Sequence, residues 1–137
     1  DMEEEAKRYD FIEKVNINFH SKEARQQAYK MLEDLPLSFA FAEGASLEMT
    51  AHGVTKAAGL HELVKYLGIA MDETLAIGDA ENDRAVLEAA GFSVAMGNAG
   101  KEIQEICDAV TGDNDHNGVG EAIRRYAFAG QNRLENR

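Results

Sequence analysis

The chain has 137 residues, 45% of them hydrophobic and 28% charged, so it can bury a core as one ordinary domain or two small ones. Its formal net charge of −11 argues against a nucleic-acid partner, because the chain would repel a phosphate backbone. No apolar run approaches the roughly 20 residues of a membrane helix, and the single Cys107 precludes an internal disulfide, so we expect a cytoplasmic protein without a membrane partner.

The first part of the chain reads as strand, helix, strand and strand. Apolar and polar residues alternate over 15–19, which predicts a strand, and Ser21 is placed to cap the helix that follows. Alternation resumes over 37–41 and 47–49, on either side of the turn residues Glu43-Gly44, which predicts a hairpin. This part of the sequence is therefore typical of a small α+β unit.

After residue 51 the sequence alternates between helical and strand patterns. In chain order these are a helix over 60–67 closed by Gly68, a strand over 74–77, a helix over 86–90, a strand over 92–96, a helix over 103–107 that Asn98 could cap, a strand over 109–111 and a helix over 119–126. Such alternation predicts parallel strands joined by right-handed crossovers. We therefore expect a boundary near 51–54, with an α+β unit before it and an α/β unit after it.

The segment Gly78-Asp79-Ala80-Glu81-Asn82-Asp83 directly follows a predicted strand and opens the next helix. In an open parallel sheet, ligands bind beyond the carboxyl ends of the strands. Asp and Asn oxygens suit Mg²⁺, and a helix amino terminus favours phosphate. A capped turn uses the same residue types, but it does not explain why three acidic side chains that repel one another stand so close together.

Lys56 is a second candidate, at the start of the helix that precedes that strand. A lysine there is unfavourable for the helix dipole, and a functional lysine would stabilise charge on a transferring phosphoryl group. A solvated surface lysine is the plainer interpretation.

Four segments in this order resemble the Cof-type subfamily of the haloacid dehalogenase-like hydrolases, and the resemblance extends over roughly Val15 to Phe128. They are Leu47-Glu48-Met49, Gly53-Val54-Thr55-Lys56, Ala76-Ile77-Gly78-Asp79-Ala80-Glu81-Asn82-Asp83 and Val94-Ala95-Met96-Gly97-Asn98-Ala99.

The resemblance implies an α/β fold: half of a Rossmann-like parallel-sheet core, preceded by an α+β remnant of a cap domain that is inserted in the middle of the core. Residues 1–51 would be the cap remnant and 52–137 the carboxyl-terminal half of the core. The implied activity is Mg²⁺-dependent hydrolysis of small phosphorylated metabolites, such as sugar phosphates, through an aspartyl-phosphate.

The same resemblance implies a role for each site residue. Lys56 would bind the phosphate, and Asn82 would contact the substrate phosphate. Asp79 would ligate Mg²⁺, and Asp83 would support the metal site, either as a further ligand or by orienting one. Lys56, Asp79 and Asp83 would be the catalytic residues.

One part of the family's pattern is missing from these residues. The family has an apolar strand followed by Asp-x-Asp-Gly-Thr, in which the first Asp is the nucleophile, and no such segment occurs here. We expect it upstream of Asp1, and we expect this chain alone to be inactive.

Several alternatives stay open from the sequence. Asp113-Asn114-Asp115 resembles the opening of a calcium-binding EF-hand loop, but the twelfth position is Arg124 where a bidentate Glu is required, so a polar turn is favoured. The chain could be a non-catalytic fragment or a module that self-associates through the exposed sheet edge beside the strand ending at Gly78. It could also belong to a sucrose-phosphate or phosphoglycerate-type phosphatase. His52, His61 and His116 form no metal-spaced cluster and are assigned no role.

Overall fold

The computed structural model describes residues 4, 7–8, 11–42 and 44–128, and the chain divides into two units, Asp1–Thr55 and Lys56–Arg137, called unit 1 and unit 2 below. Each unit contains its own sheet and is described by itself. The assignment of the two units to a cap and a core stays a prediction.

From residue 11 onward, the described part of unit 1 contains an antiparallel sheet and one helix. The elements are β1 (Lys14–Asn18), α1 (Lys22–Leu32), β2 (Leu37–Ala42) and β3 (Ser46–Ala51). The strand order is β1-β3-β2, with both pairings antiparallel. The predicted order of strand, helix, strand and strand is confirmed. Of the predicted turn residues, Glu43 lies outside the described residues, and Gly44 has a φ of +67°, where glycine is favoured.

Alternation along the strands places their apolar side chains on one face of this sheet. Leu47 of β3 is fully buried and is registered with Ile17 on one side and Phe41 on the other. Tyr29 of α1 makes an edge contact with Phe41 at a ring separation of 5.2 Å. The predicted cap of α1 is confirmed, because the Ser21 side chain accepts a hydrogen bond of 3.2 Å from the backbone N–H of residue 24.

Unit 2 contains a parallel sheet with strand order β4-β5-β6. Its elements are α2 (Lys56–Leu67), β4 (Leu75–Gly78), α3 (Arg84–Ala89), β5 (Phe92–Ala95), α4 (Lys101–Gln104), β6 (Ala109–Val110) and α5 (Gly118–Ala122), which continues as a π-helical turn over Ile123–Ala127. The α/β fold with parallel strands is therefore the observed one. Gly68 follows α2 in the left-handed conformation, with a φ of +68°.

The core of unit 2 lies where α3, α4 and the loop before α4 pack on the sheet. Leu87 and Ile103 are each 1% exposed and join Ala76, Ala95 and Ala99 in one apolar cluster. The expectation that Asn98 caps the helix near residue 103 is wrong. That helix begins at Lys101 with Gly100 in the cap position, and the Asn98 side chain is engaged elsewhere.

No helix within the described ranges is both long enough and apolar enough to cross a membrane.

Candidate functional site

The candidate site of unit 2 is built where its strands end. Because β4, β5 and β6 run parallel, their carboxyl ends meet at one edge of the sheet. Backbone hydrogen bonds continue past the strands there: the Met96 N–H donates to the Gly78 carbonyl at 2.9 Å, and the Gly97 N–H donates to the Gly112 carbonyl at 3.1 Å. The loops that follow the three strands are therefore held side by side.

Asp83 closes the loop that follows β4 back onto the end of the strand. Its Oδ2 accepts from the backbone N–H of Asp79 at 3.1 Å and from that of Ala80 at 3.3 Å. The side chain lies directly against Gly78, where an added Cβ would stand 2.7 Å from the Asp83 Cβ. A glycine at position 78 is what allows the carboxylate to reach these two donors.

Lys56, the first residue of α2, forms an ion pair with Asp83 through Nζ and Oδ1. The Asp83 side chain is 15% exposed and that of Lys56 is 53% exposed. Partial burial alone would raise the pKa of Asp83, but the hydrogen bonds from Lys56 and from the N–H groups of Asp79 and Ala80 outweigh it, so the pKa lies below its usual value. Asp83 is therefore held as a carboxylate.

Asp79 stands immediately after β4 and is held by a different partner. Its Oδ2 accepts a hydrogen bond of 2.9 Å from Nδ2 of Asn98, in the loop after β5. Asn82 lies in the helical turn Glu81–Asp83 and is half-buried, and its side chain makes no hydrogen bond within the described ranges. Lys56, Asp79 and Asp83 are thus brought together, with Asn82 in the same loop.

The residues present fit one part of a magnesium site. Carboxylate oxygen is the donor that Mg²⁺ prefers, and Asp79 has a second oxygen that no described protein group contacts. Both oxygens of Asp83 are already engaged. In the part of the chain that the structure describes, no three His, Cys, Asp or Glu side chains gather to hold an ion. Among these residues, Asp79 is therefore the one best placed to ligate Mg²⁺ directly.

Asp113 forms a capped turn. Its Oδ1 accepts from the N–H of Asp115 at 3.1 Å and from the N–H of His116 at 2.9 Å, and it also contacts the His116 ring. The His116 contact is the main reason why the pKa of Asp113 lies below its usual value. This arrangement matches the polar turn favoured from the sequence, with its carboxylate used as a cap.

Asn98 is the site residue that the sequence interpretation missed. Asparagine is a common cap residue, and Asn98 precedes a helical pattern, so a local role was the natural expectation. The available signal was positional: a glycine followed by a polar residue occurs at the end of each strand, as Gly78-Asp79 at the end of β4 and as Gly97-Asn98 after one further residue beyond β5. When two neighbouring parallel strands each lead into a glycine followed by a polar residue, the two polar side chains are expected to meet at the sheet edge.

Several known proteins are similar to this chain. The family profile described as haloacid dehalogenase-like hydrolase matches residues 1–123. The chain is similar to Phosphatase YwpJ of Bacillus subtilis, 40% identical over 117 residues, which are 84% of this chain and 40% of that protein. It is also similar to a phosphoglycolate phosphatase of Methanothermobacter thermautotrophicus, 43% identical over 83 residues, which are 61% of this chain and 38% of that protein.

Solved structures agree in fold. A haloacid dehalogenase-like hydrolase from B. subtilis superimposes with a TM-score of 0.81 at 34% identity, over 90% of this chain and 45% of that one. A sugar phosphatase of subclass IIB of the same superfamily superimposes with a TM-score of 0.77 at 28% identity, over 90% of this chain and 46% of that one. The chain therefore spans less than half the length of each of these relatives.

Proposed function

This chain belongs to the haloacid dehalogenase-like hydrolases, and we propose that it forms part of a Mg²⁺-dependent phosphatase that hydrolyses phosphomonoesters of small metabolites. The observation that carries the proposal is the joining of Lys56, Asp83 and the Asp79 loop at the end of β4. An ammonium group and a carboxylate that suits a hard cation stand together where an open parallel sheet binds ligands.

Each residue has a distinct task in the proposed mechanism. Lys56 would neutralise phosphate charge, which otherwise repels an attacking carboxylate. Asp79 would hold Mg²⁺, and a bound Mg²⁺ supplies further charge neutralisation at the phosphate oxygens. Asp83 holds the Lys56 ammonium and the backbone of the Asp79 loop in place. The Asn82 amide would donate to a phosphate oxygen.

The proposed reaction also requires a carboxylate nucleophile that would form the aspartyl-phosphate. The segment Asp-x-Asp-Gly-Thr that carries it in this family does not occur among the 137 residues. We propose that another part of the same protein supplies it, so that the 137 residues alone are inactive.

The proposed substrates are small phosphorylated carbon compounds. One relative is named a phosphoglycolate phosphatase and one solved neighbour a sugar phosphatase. A suitable panel therefore contains sugar phosphates, phosphoglycolate, phosphoglycerate and sucrose phosphate. A cytoplasmic location is part of the proposal, favoured by the single Cys107.

The test measures phosphate release by the full-length protein that contains these residues, with and without Mg²⁺. We expect Asp79→Ala to abolish the activity and Lys56→Ala to lower kcat/KM by about 100-fold or more. Lys65→Ala is the matched control, because Lys65 lies on the same helix with its side chain 79% exposed. Full activity in either site variant would refute the proposed site, and Mg²⁺-independent activity would refute the proposed cofactor.

We also propose that the 137-residue chain self-associates through β4. This strand is at one end of the order β4-β5-β6, and its outer side pairs with no strand in the described ranges. Unpaired strand edges take up further strands. Light scattering should reveal a mass that grows with concentration, whereas a clean monomer at high concentration would count against this. Self-association without metal-dependent phosphatase activity in the full-length protein would favour the non-catalytic alternative.

A further inference from the structure

Asn98 bridges the loops that follow the three described strands of unit 2. Its Nδ2 donates to Oδ2 of Asp79 at 2.9 Å, and its Oδ1 accepts from the backbone N–H of Asn114 at 3.1 Å. Asp79 follows β4, Asn98 follows β5 and Asn114 follows β6. One side-chain amide therefore joins three segments that are distant in sequence.

The two bonds fix which way the amide faces. The Asn114 N–H can only donate, so it requires the amide oxygen. The Asp79 carboxylate, when ionised, can only accept, so it requires the amide nitrogen. The reversed amide would leave both contacts without a hydrogen bond, and the assigned orientation follows from the network.

The loop that carries Asn98 is itself held tightly. The Gly97 N–H donates to the Gly112 carbonyl, and a Cβ at position 97 would lie 3.0 Å from the Thr111 carbonyl oxygen. On the other side, the Gln104 Nε2 donates to the Ala99 carbonyl at 2.9 Å. The amide of Asn98 is thus presented to Asp79 from a fixed backbone.

We infer that Asn98 is a positioning residue for Asp79, which it holds through Oδ2 while the second carboxylate oxygen stays available to Mg²⁺. This inference rests on the proposed function and adds to it a residue that the proposed site did not include. Partners that orient a ligating carboxylate typically change metal affinity by about 10–100-fold when they are removed.

The experiment compares Asn98→Ala with Gln104→Ala in the full-length protein. Gln104 holds the same loop but makes no described contact with Asp79. Metal binding is followed by the loss of the free Mn²⁺ electron paramagnetic resonance signal, since Mn²⁺ suits the same oxygen donors, and by the half-saturating Mg²⁺ concentration for phosphate release.

We expect Asn98→Ala to weaken Mn²⁺ binding and to raise the half-saturating Mg²⁺ concentration by about tenfold or more. KM for the phosphate ester, measured at saturating Mg²⁺, should change little. Gln104→Ala should lower the unfolding temperature and leave both metal measurements within about twofold of the wild-type values.

Three other outcomes are possible, and each would overturn the inference about Asn98. If Asn98→Ala binds Mn²⁺ as the wild type does, the inference is overturned while the proposed phosphatase stands. If Gln104→Ala weakens metal binding equally, Asn98 acts only by holding the loop, and the inference is overturned. If the wild-type protein binds no metal and releases no phosphate, the proposed function fails and the inference fails with it.

Discussion

Unit 1 and unit 2 each contain a sheet whose three described strands are differently arranged: antiparallel in unit 1 and parallel in unit 2. In the antiparallel sheet β3 runs opposite to both β1 and β2, so the residues after β3 stand at the other edge from those after β1 and β2. In the parallel sheet all three strands end at one edge, so polar residues after each strand meet there. The parallel topology therefore brings together Asp79, Asn98 and the Asn114 backbone, which lie far apart in the sequence.

The two units also differ in what their ion pairs hold together. Lys14 and Glu48 join neighbouring strands of unit 1 at 3.4 Å, with side chains 52% and 22% exposed. Lys56 and Asp83 have similar exposures. The Glu48 carboxylate has Lys14 as its only described partner, whereas the Asp83 carboxylate also accepts two backbone N–H groups. Two ion pairs of similar exposure therefore differ in how much of the surrounding backbone they hold in place.

Truncating a buried leucine in either core should cause the greatest loss of stability. Leu47 in unit 1 and Leu87 in unit 2 are 0% and 1% exposed. Replacing either with alanine should lower the free energy of unfolding by about 2–5 kcal/mol, because each change leaves a cavity. Urea denaturation of the 137-residue chain measures this. Leu63→Ala, at a position 52% exposed, should change it by about 0.5 kcal/mol or less. A loss below about 1 kcal/mol at Leu87 would contradict the core described for unit 2.

The next effect separates the two ion pairs by activity. Asp83→Ala should lower kcat/KM of the full-length protein by about 100-fold, or about 2.7 kcal/mol, because Lys56 and the Asp79 loop lose their shared anchor. Asp83→Asn keeps an acceptor for the backbone N–H groups and should lose only about tenfold. Phosphate release under saturating Mg²⁺ is the measurement.

Glu48→Ala is the matched control for Asp83→Ala, since it removes an acid paired with a lysine of similar exposure. We expect a loss of stability of about 1 kcal/mol or less and little change in kcat/KM. Equal losses of activity at Glu48 and Asp83 would break the distinction between the two units.

The local elements of both units could be predicted, because the signals for them are local. Alternation over 15–19 predicted β1, Ser21 predicted the cap of α1, and the Gly-Asp ending of β4 directed attention to Asp79. What failed or was missed depends on distance along the chain. Asn98 bonds a residue 19 positions away, so its local resemblance to a cap misled.

Two other features could not be read from a single sequence. Gly118 approaches the Gly112 carbonyl so closely that an added Cβ would lie 1.9 Å from its oxygen, a contact visible only in three dimensions. The turn of α5 that widens into a π-helix over Ile123–Ala127 keeps the same apolar pattern as an ordinary helix.

Removing the side-chain cap of α1 should cause a smaller loss of stability. Ser21→Ala should destabilise α1 of unit 1 by about 1 kcal/mol, because the N–H of residue 24 loses its acceptor. Ser21→Asp retains an acceptor and should stay within about 0.5 kcal/mol of the wild type. Urea denaturation followed by circular dichroism provides both values. If alanine and aspartate behaved alike, the cap would contribute nothing to the stability of unit 1.

The smallest effect concerns acid stability, because Lys56 is half-exposed and water screens its ion pair. The pKa of Asp83 is lower in the folded chain than its ordinary value of 3.8, so below that value the unfolded chain binds more protons at this site. The stabilisation is therefore complete above pH 3.8 and is lost as the pH falls through the folded-state pKa. We expect the difference in free energy of unfolding between wild type and Asp83→Asn to shrink between pH 6 and about pH 3. The lowered pKa of Asp113 is caused mainly by His116, which Asp83→Asn leaves in place, so its contribution cancels in that difference. A difference that stayed constant with pH would mean that Asp83 stabilises the loop through the shape of its side chain and not through its charge.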